Sequence, residues 1–157
     1  MVNAQVVGGG SYVAQYYTTV SGSYSIRVTV NNTELPNQYQ TQVSSGQVRA
    51  SNSSAVVELP SNRIIVAGST VTVTVTARDV FGNLITRSDV QFGVLAEYVG
   101  SVITAVSAMA ILDDSGFYAV SMKLNTAGNI KLQITNEGTQ LSNSPITFRV
   151  QVCTVRC

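Results

Sequence analysis

A repeat at a spacing of 106 residues, the separation of Gly10 from Gly116, constrains this 157-residue chain most. The segment Gly116–Val150 alternates apolar and polar residues between turn residues, which predicts three β-strands. The same frame occurs earlier without a gap, in the pairs Gly10/Gly116, Tyr12/Tyr118, Gly22/Gly128, Tyr24/Ile130, Ile26/Leu132, Val28/Ile134, Leu35/Leu141 and Asn37/Asn143. One period of about 100 residues with strand patterning in both copies is typical of tandem β-domains.

The repeat predicts a domain organisation of one and a half repeats. Residues 1–43 would be the C-terminal strands of a partial repeat, and residues 55–152 would form a complete one. The polar, Ser- and Gly-bearing segment 44–54 is predicted to be a linker, and residues 153–157 a cysteine-bearing tail. A start in the middle of a repeat leads us to expect that the chain is a piece of a longer polypeptide.

The strands of the partial repeat should share one apolar face. Its predicted members are Tyr12, Tyr16, Tyr24, Ile26 and Val28. Three strands cannot close a sandwich, so this face and two strand edges would be left uncovered. Upstream sequence or a neighbouring subunit would have to supply the missing strands. In the second case the contacts would not close on themselves, and the chain would polymerise head to tail.

The complete repeat carries enough strand signals for a whole domain. Ser69–Asp79 is the strongest predicted strand, with alternating Val and Thr, and Val90, Phe92 and Val94 form the inward row of the next. Residues 99–112 are dense in Val and Ile and are predicted as two short strands. About seven strands in about 100 residues predict an all-β fold, an immunoglobulin-like β-sandwich.

Composition narrows the class of protein. Charged residues make up only 11% of the chain, against about 25% in typical soluble domains, so Ser, Thr, Asn and Gln must cover the surface. This favours an extracellular or cell-surface location, with the cytoplasm as the alternative. A net charge of +1 provides no field for nucleic acid, and no apolar run reaches the length of a membrane span. The expected partners are therefore proteins: neighbouring repeats or further copies of the chain.

Few residues are available for chemistry. The chain has no His and no recognisable catalytic or phosphate-binding motif, so neither an enzyme nor a cofactor is predicted. Asp113-Asp114 suits a hairpin turn better than half of a calcium site. Cys153 and Cys157 could remain free thiols, form a local disulfide, or link to another segment or chain.

Two sequons make N-linked glycans possible partners. They begin at Asn31 (Asn-Asn-Thr) and at Asn52 (Asn-Ser-Ser). Both lie in predicted turn or linker segments, where a glycan could be accommodated if the chain is secreted.

Several turns resemble those of the filamin-type immunoglobulin-like repeat. Asp79–Asn83 matches its Asp-x-x-Gly-Asn turn, Asp113–Tyr118 its acidic, Gly-containing turn before an aromatic residue, and Ser144-Pro145-Ile146 the entry to its last strand. A Gly followed by an apolar strand, as at Gly128–Ile134, completes the pattern. The resemblance covers residues 55–152 and, in part, 10–43, although Gln38-Tyr39 replaces Ser-Pro in the first copy. The Asp79–Asn83 turn is also similar to that of bacterial invasin-type Ig-like repeats.

The resemblance implies scaffold work rather than catalysis. In filamin-like repeats, partner strands add beside the third and fourth strands, here Val90–Leu95 and Ser101–Ser107. The residues implied for this partner edge are Val90, Phe92, Val94, Val102 and Thr104. We expect a structural or adhesive segment of an extracellular surface or fibre-forming glycoprotein. The alternative is an intracellular filamin-like scaffold that binds partner peptides by β-augmentation.

Overall fold

The computed structural model of the chain describes residues 2–60, 64–100 and 106–152. It divides into two compact units, Met1–Ser44 and Ser45–Cys157. Within the described residues the regular structure is β-strands plus one short 3-10 turn, Ala50–Asn52, which confirms the all-β prediction. No helix in this part of the chain is long and apolar enough to cross a membrane.

The first unit consists of short antiparallel ladders. Its strands are β1 (Gln5–Gly8), β2 (Ser11–Val13), β3 (Gly22–Ile26), β4 (Thr29–Val30), β5 (Thr33–Glu34) and β6 (Tyr39–Val43). β1 pairs with β2, β3 with β6, and β4 with β5. The strand predicted over Tyr24–Val30 is interrupted at residues 27–28, and the alternating stretch after Val13 is not a strand. None of the side chains of residues 2–44 is fully buried.

The second unit has longer strands. They are β7 (Ser54–Glu58), β8 (Ile65–Val66), β9 (Ser69–Thr76), β10 (Phe92–Tyr98), β11 (Val106–Leu112), β12 (Tyr118–Leu124), β13 (Gly128–Asn136), β14 (Thr139–Gln140) and β15 (Ile146–Gln151). In the described residues they form one curled sheet in the order β7-β9-β12-β11-β10-β13-β15-β8, with β14 paired to β13. β11 joins the two halves because it pairs with both β12 and β10.

The core lies between the two halves of this curled sheet. The predicted inward rows of β9, β10 and β13 are buried: Val71, Val73 and Val75; Phe92 and Val94; Ile130, Leu132 and Ile134. The rings of Phe92 and Tyr118 meet edge to face, with centroids 5.1 Å apart, so β10 packs against β12 across the core. This arrangement confirms the immunoglobulin-like sandwich.

The two copies of the repeat share backbone geometry. The turn at Asn31-Asn32 has φ values of 49° and 63°, and the equivalent turn at Glu137-Gly138 has 47° and 79°. Both positive φ values are what a two-residue type I′ hairpin turn requires. The hydrogen bond from Leu35 N to Val28 O (2.8 Å) recurs from Leu141 N to Ile134 O (3.1 Å).

The strand registers repeat as well. Moving back by 106 residues maps the β13–β14 ladder onto β4–β5 and the β11–β12 ladder onto β1–β2, pair for pair. The β13–β15 ladder maps onto β3–β6 with a shift of one residue, since Gly128 pairs with Val150 but Gly22 with Val43. The first unit therefore has the backbone of the last four main strands of the second.

Residues 45–54 of the segment predicted as a linker, 44–54, fold as part of the second unit. Gly46 N donates to the Asp79 carboxylate at 2.9 Å, and Arg49 N donates to Arg78 O at 2.8 Å. Ser53 is fully buried, and its hydroxyl donates to Arg49 O and accepts from Arg78 N. Polar composition suggested a linker, but these polar groups are paired within the fold.

Candidate functional site

The first unit consists of three separate two-stranded ladders, and none of its described side chains is fully buried. In the second unit, β9 pairs with β12 along its length, and β10 pairs with both β11 and β13. Residues 2–44 reproduce the counterparts of β11, β12, β13 and β15 but include no counterpart of β9 or β10. The described residues of the first unit therefore have exposed apolar side chains and strand edges that no further strand pairs with.

Side chains at equivalent positions are far more exposed in the first unit than in the second. Tyr118 is 0% exposed and Leu141 2%, whereas Tyr12 is 66% and Leu35 43% exposed. Of the other predicted members of the exposed face, Tyr16 and Val28 are exposed, while Tyr24 and Ile26 are partly buried. Apolar side chains at these positions have a core in the second unit and none in the first.

Tyr118 shows what a covered tyrosine does at this position. Its hydroxyl donates to Arg87 O at 2.7 Å and accepts from Arg87 N at 3.2 Å, in the segment that leads into β10. Burial raises the pKa of the Tyr118 phenol, so the hydroxyl remains a donor. Tyr12 occupies the equivalent position on β2 and is exposed. It is therefore available to the same kind of partner backbone.

The partner edge implied by the filamin resemblance is closed in this fold. β10 is bonded on one side to β13 and on the other to β11, from Phe92↔Ala110 to Ala96↔Val106. Val90, Phe92 and Val94 are buried in the core. The edge prediction at these three residues is wrong because β11 (Val106–Leu112) pairs with β10 on that side. Val102 and Thr104 lie outside the described residues.

Asp79 fastens the first residues of the second unit to the turn after β9. Its Oδ1 accepts from Phe81 N and Asn83 N, both at 2.9 Å. Its Oδ2 accepts from Asn83 Nδ2 at 2.8 Å and from Gly46 N at 2.9 Å. The Asp79–Asn83 turn thus holds a carboxylate that accepts four hydrogen bonds, one of them from Gly46, which is distant in sequence. We call this arrangement the Asp79 lock.

The electrostatics of Asp79 follow from these donors. Burial alone would raise the pKa of Asp79, but the hydrogen bonds from Asn83, Gly46 and Phe81 outweigh it and lower the pKa to about 2. Asp113, in an exposed turn, also has a lowered pKa, chiefly because the Ser115 hydroxyl donates to it. Both carboxylates therefore act as turn-forming acceptors.

A cavity of about 510 Å³ lies at the end of the second unit where β10 begins and the β13–β14 hairpin turns. Its charged lining residues are Arg87, Asp89 and Glu137. Arg87 Nε lies 3.3 Å from Asp89 Oδ1 but is not aligned for a hydrogen bond. This lining contains no nucleophile paired with a base, and no group of three metal-ligating side chains occurs among the described residues.

The two sequons differ in their surroundings. Asn31 is exposed in the β4–β5 turn. Asn52 is exposed too, but its Nδ2 donates to Asp79 O at 2.9 Å and to Val80 O at 3.2 Å. A glycosylated amide nitrogen keeps one hydrogen and cannot make both bonds. Cys153 and Cys157 lie outside the described residues.

Comparisons with known proteins agree with this fold. The model of the GEX2 N-terminal Ig-like domain family matches residues 52–150, more than half of the chain. The Lin-41 filamin domain is 26% identical, with a TM-score of 0.52, over 68% of this chain and 98% of its own. FdeC, an Escherichia coli adhesin, has a TM-score of 0.56 at 19% identity, over 94% of this chain. The chain spans about half, 47%, of the FdeC structure, and no curated protein sequence matches it.

These findings place the protein among interaction and structural modules. The filamin likeness covers almost the whole of that domain, and the FdeC likeness shows a shared fold. Both agree with the all-β fold described above. The chain belongs to the family of GEX2 N-terminal Ig-like domains, with a filamin-type immunoglobulin-like sandwich as its second unit.

Proposed function

We propose that this chain is a non-enzymatic structural or adhesive segment of an extracellular surface or fibre-forming glycoprotein. In this proposal the first unit is completed by strands from a neighbouring subunit, and chains join head to tail. The observation that carries it is the uncovered face of residues 2–44, whose counterpart in the second unit is buried. A contact between two different surfaces that does not close on itself produces filaments.

Two further observations support the extracellular assignment. Only 11% of the residues are charged, well below the roughly 25% of typical soluble domains. The fold is shared with FdeC, a bacterial adhesin. The intracellular alternative depended on a free edge at β10, which is closed by β11.

Sedimentation of the intact chain over a range of concentrations tests the assembly. We expect the mass to rise with concentration, because each added subunit covers one uncovered face. Ile26→Asp, which places a charge on β3, should reduce this association, whereas Thr72→Asp on the outer face of β9 should leave it intact. A monomer that stays monomeric at every concentration while residues 2–44 are protected from hydrogen exchange would contradict the assembly.

The glycoprotein part of the proposal predicts one occupied sequon. We expect a glycan on Asn31 and none on Asn52, because folding engages both hydrogens of the Asn52 amide. Peptide mapping by mass spectrometry of native, secreted material measures both sites. Asn31→Gln should remove the whole glycan mass. Unmodified Asn31 in this secreted material would contradict the glycoprotein part of the proposal.

A further inference from the structure

We propose that the first unit binds one kind of partner: a segment equivalent to strands β7 to β10 of this same repeat type, in the register that β9 and β10 take in the second unit. The proposal rests on the proposed function only in that both require added strands on residues 2–44. It goes further because the second unit specifies which strands, in which order, and with which side chains. The evidence is the set of contacts that β13 and its neighbours make with β7 and β10.

Charge complementarity marks the expected register at Arg27, the residue that follows β3. In the second unit, Gln133 Nε2 donates to Glu97 Oε2 on β10 at 2.6 Å. The residue equivalent to Gln133 is Arg27, which is exposed and holds only a 3.6 Å ion pair with Glu34. A partner strand with an acid at the position of Glu97 would therefore meet a guanidinium where the second unit presents an amide.

Residue size provides a second register mark. A Cβ added at Gly93 would lie 3.1 Å from Thr135 Oγ1, so the chain opposite this threonine is closely packed. The equivalent of Thr135 is Thr29, the same residue, at the start of β4. In the same register we expect the partner strand to have a small residue at the position that faces Thr29.

Asn37 marks the place of the strand equivalent to β7. In the second unit Asn143 binds the outer edge of β7 at two points: its Oδ1 accepts from Ala55 N at 3.0 Å, and its Nδ2 donates to Ala55 O at 2.6 Å. An amide side chain thus imitates one residue of a neighbouring strand. Asn37 is the same residue at the equivalent position and is exposed. Tyr12 likewise repeats Tyr118, whose hydroxyl binds the backbone before β10.

A fusion of the chain to its own strands tests this proposal. Residues 45–106 placed directly before Met1 keep the spacing of the repeat, because residue 107 is the equivalent of residue 1. We expect the amides of β3 and β6 to exchange about 100-fold more slowly in the fusion than in the unfused chain, measured at a concentration where the unfused chain is monomeric. Val94→Asp in the added copy alone should abolish this protection, since Val94 is buried at the equivalent place.

A charge exchange tests the register itself. Glu97→Arg in the added copy should reduce the protection of β3, and Arg27→Glu in the same molecule should restore it.

No protection in the fusion, with the second unit still folded, would overturn the proposal, as would a charge exchange without effect. Protection in the fusion together with a monomeric unfused chain would support this inference while contradicting head-to-tail assembly. The two proposals therefore fail separately.

Discussion

Replacing Leu141 by Ala should destabilise the second unit by about 2–5 kcal/mol. Replacing Leu35 by Ala should change the stability of the first unit by less than about 0.5 kcal/mol. The two leucines occupy equivalent positions of the repeat. Each donates an equivalent backbone hydrogen bond across its hairpin, from Leu141 N to Ile134 O and from Leu35 N to Val28 O. Leu141 is 2% exposed and Leu35 43%. Only the first substitution leaves a cavity in a packed core.

Urea unfolding followed by tyrosine fluorescence measures both variants, with hydrogen exchange of β13 for Leu141→Ala and of β3 for Leu35→Ala. The matched pair removes differences of side-chain type and local conformation, so the contrast reports burial alone. A Leu35→Ala variant as damaging to its own unit as Leu141→Ala is to the second would mean that the first unit is already covered in solution. The uncovered face would then not be a property of the isolated chain.

The repeat was predictable because both copies contain glycines at positions where the backbone has a positive φ. Gly22 and Gly128 adopt φ values of 149° and 151°, and Gly10 and Gly116 adopt 77° and 85°, conformations that favour glycine. Such residues mark position in a sequence even when the strands between them diverge. The counterpart of β11 in the first unit, β1, was not predicted because the two strands share no such marker. Gln5–Gly8 shares no such residue with Val106–Leu112, and only the pairing register reveals it.

The partner edge and the linker could not be predicted from local pattern. An apolar, β-branched run such as 99–112 shows that strands occur there, but which strand each pairs with is a long-range property. The structure pairs β11 with β10 and so removes the edge. Gly46 and Ser53 look like linker residues because their partners, Asp79 and Arg78, lie far along the chain. Periodicity contains no information about those hydrogen bonds.

The Asp79 lock leads to the second large prediction. Asp79→Asn should lower the melting temperature of the second unit by about 10 °C, although the side chain keeps its shape. Each oxygen of the Asp79 carboxylate accepts two hydrogen bonds from N–H groups. In the asparagine variant, the amide NH₂ would replace one of these oxygens and would face two N–H donors. We expect the loss of protection from hydrogen exchange to begin at Gly46 and to extend along residues 46–53.

Asp113→Asn is the matched control for this substitution. The hydrogen bonds to the Asp113 side chain end on one oxygen, Oδ1, where the donors are Ser115 N, Ser115 Oγ and Phe117 N. An asparagine carbonyl can accept all of them, so the melting temperature should change by no more than about 2 °C. Equal losses in the two variants would show that the second oxygen of Asp79, and with it the bond to Gly46, contributes nothing.

Acid titration then isolates the charge of Asp79. Its pKa falls from 3.8 to about 2 on folding, so the ionised form stabilises the fold. The sign is that of a depressed carboxylate: the contribution is complete above about pH 4 and is lost as the pH falls through about 2. Thermal melts between pH 5 and 2 should therefore decline more steeply for the unchanged protein than for Asp79→Asn, and the two melting temperatures should converge near pH 2. A constant difference across this range would mean that the lock acts through packing, because a substitution that removes a titrating acceptor must lose its effect once that acceptor is protonated.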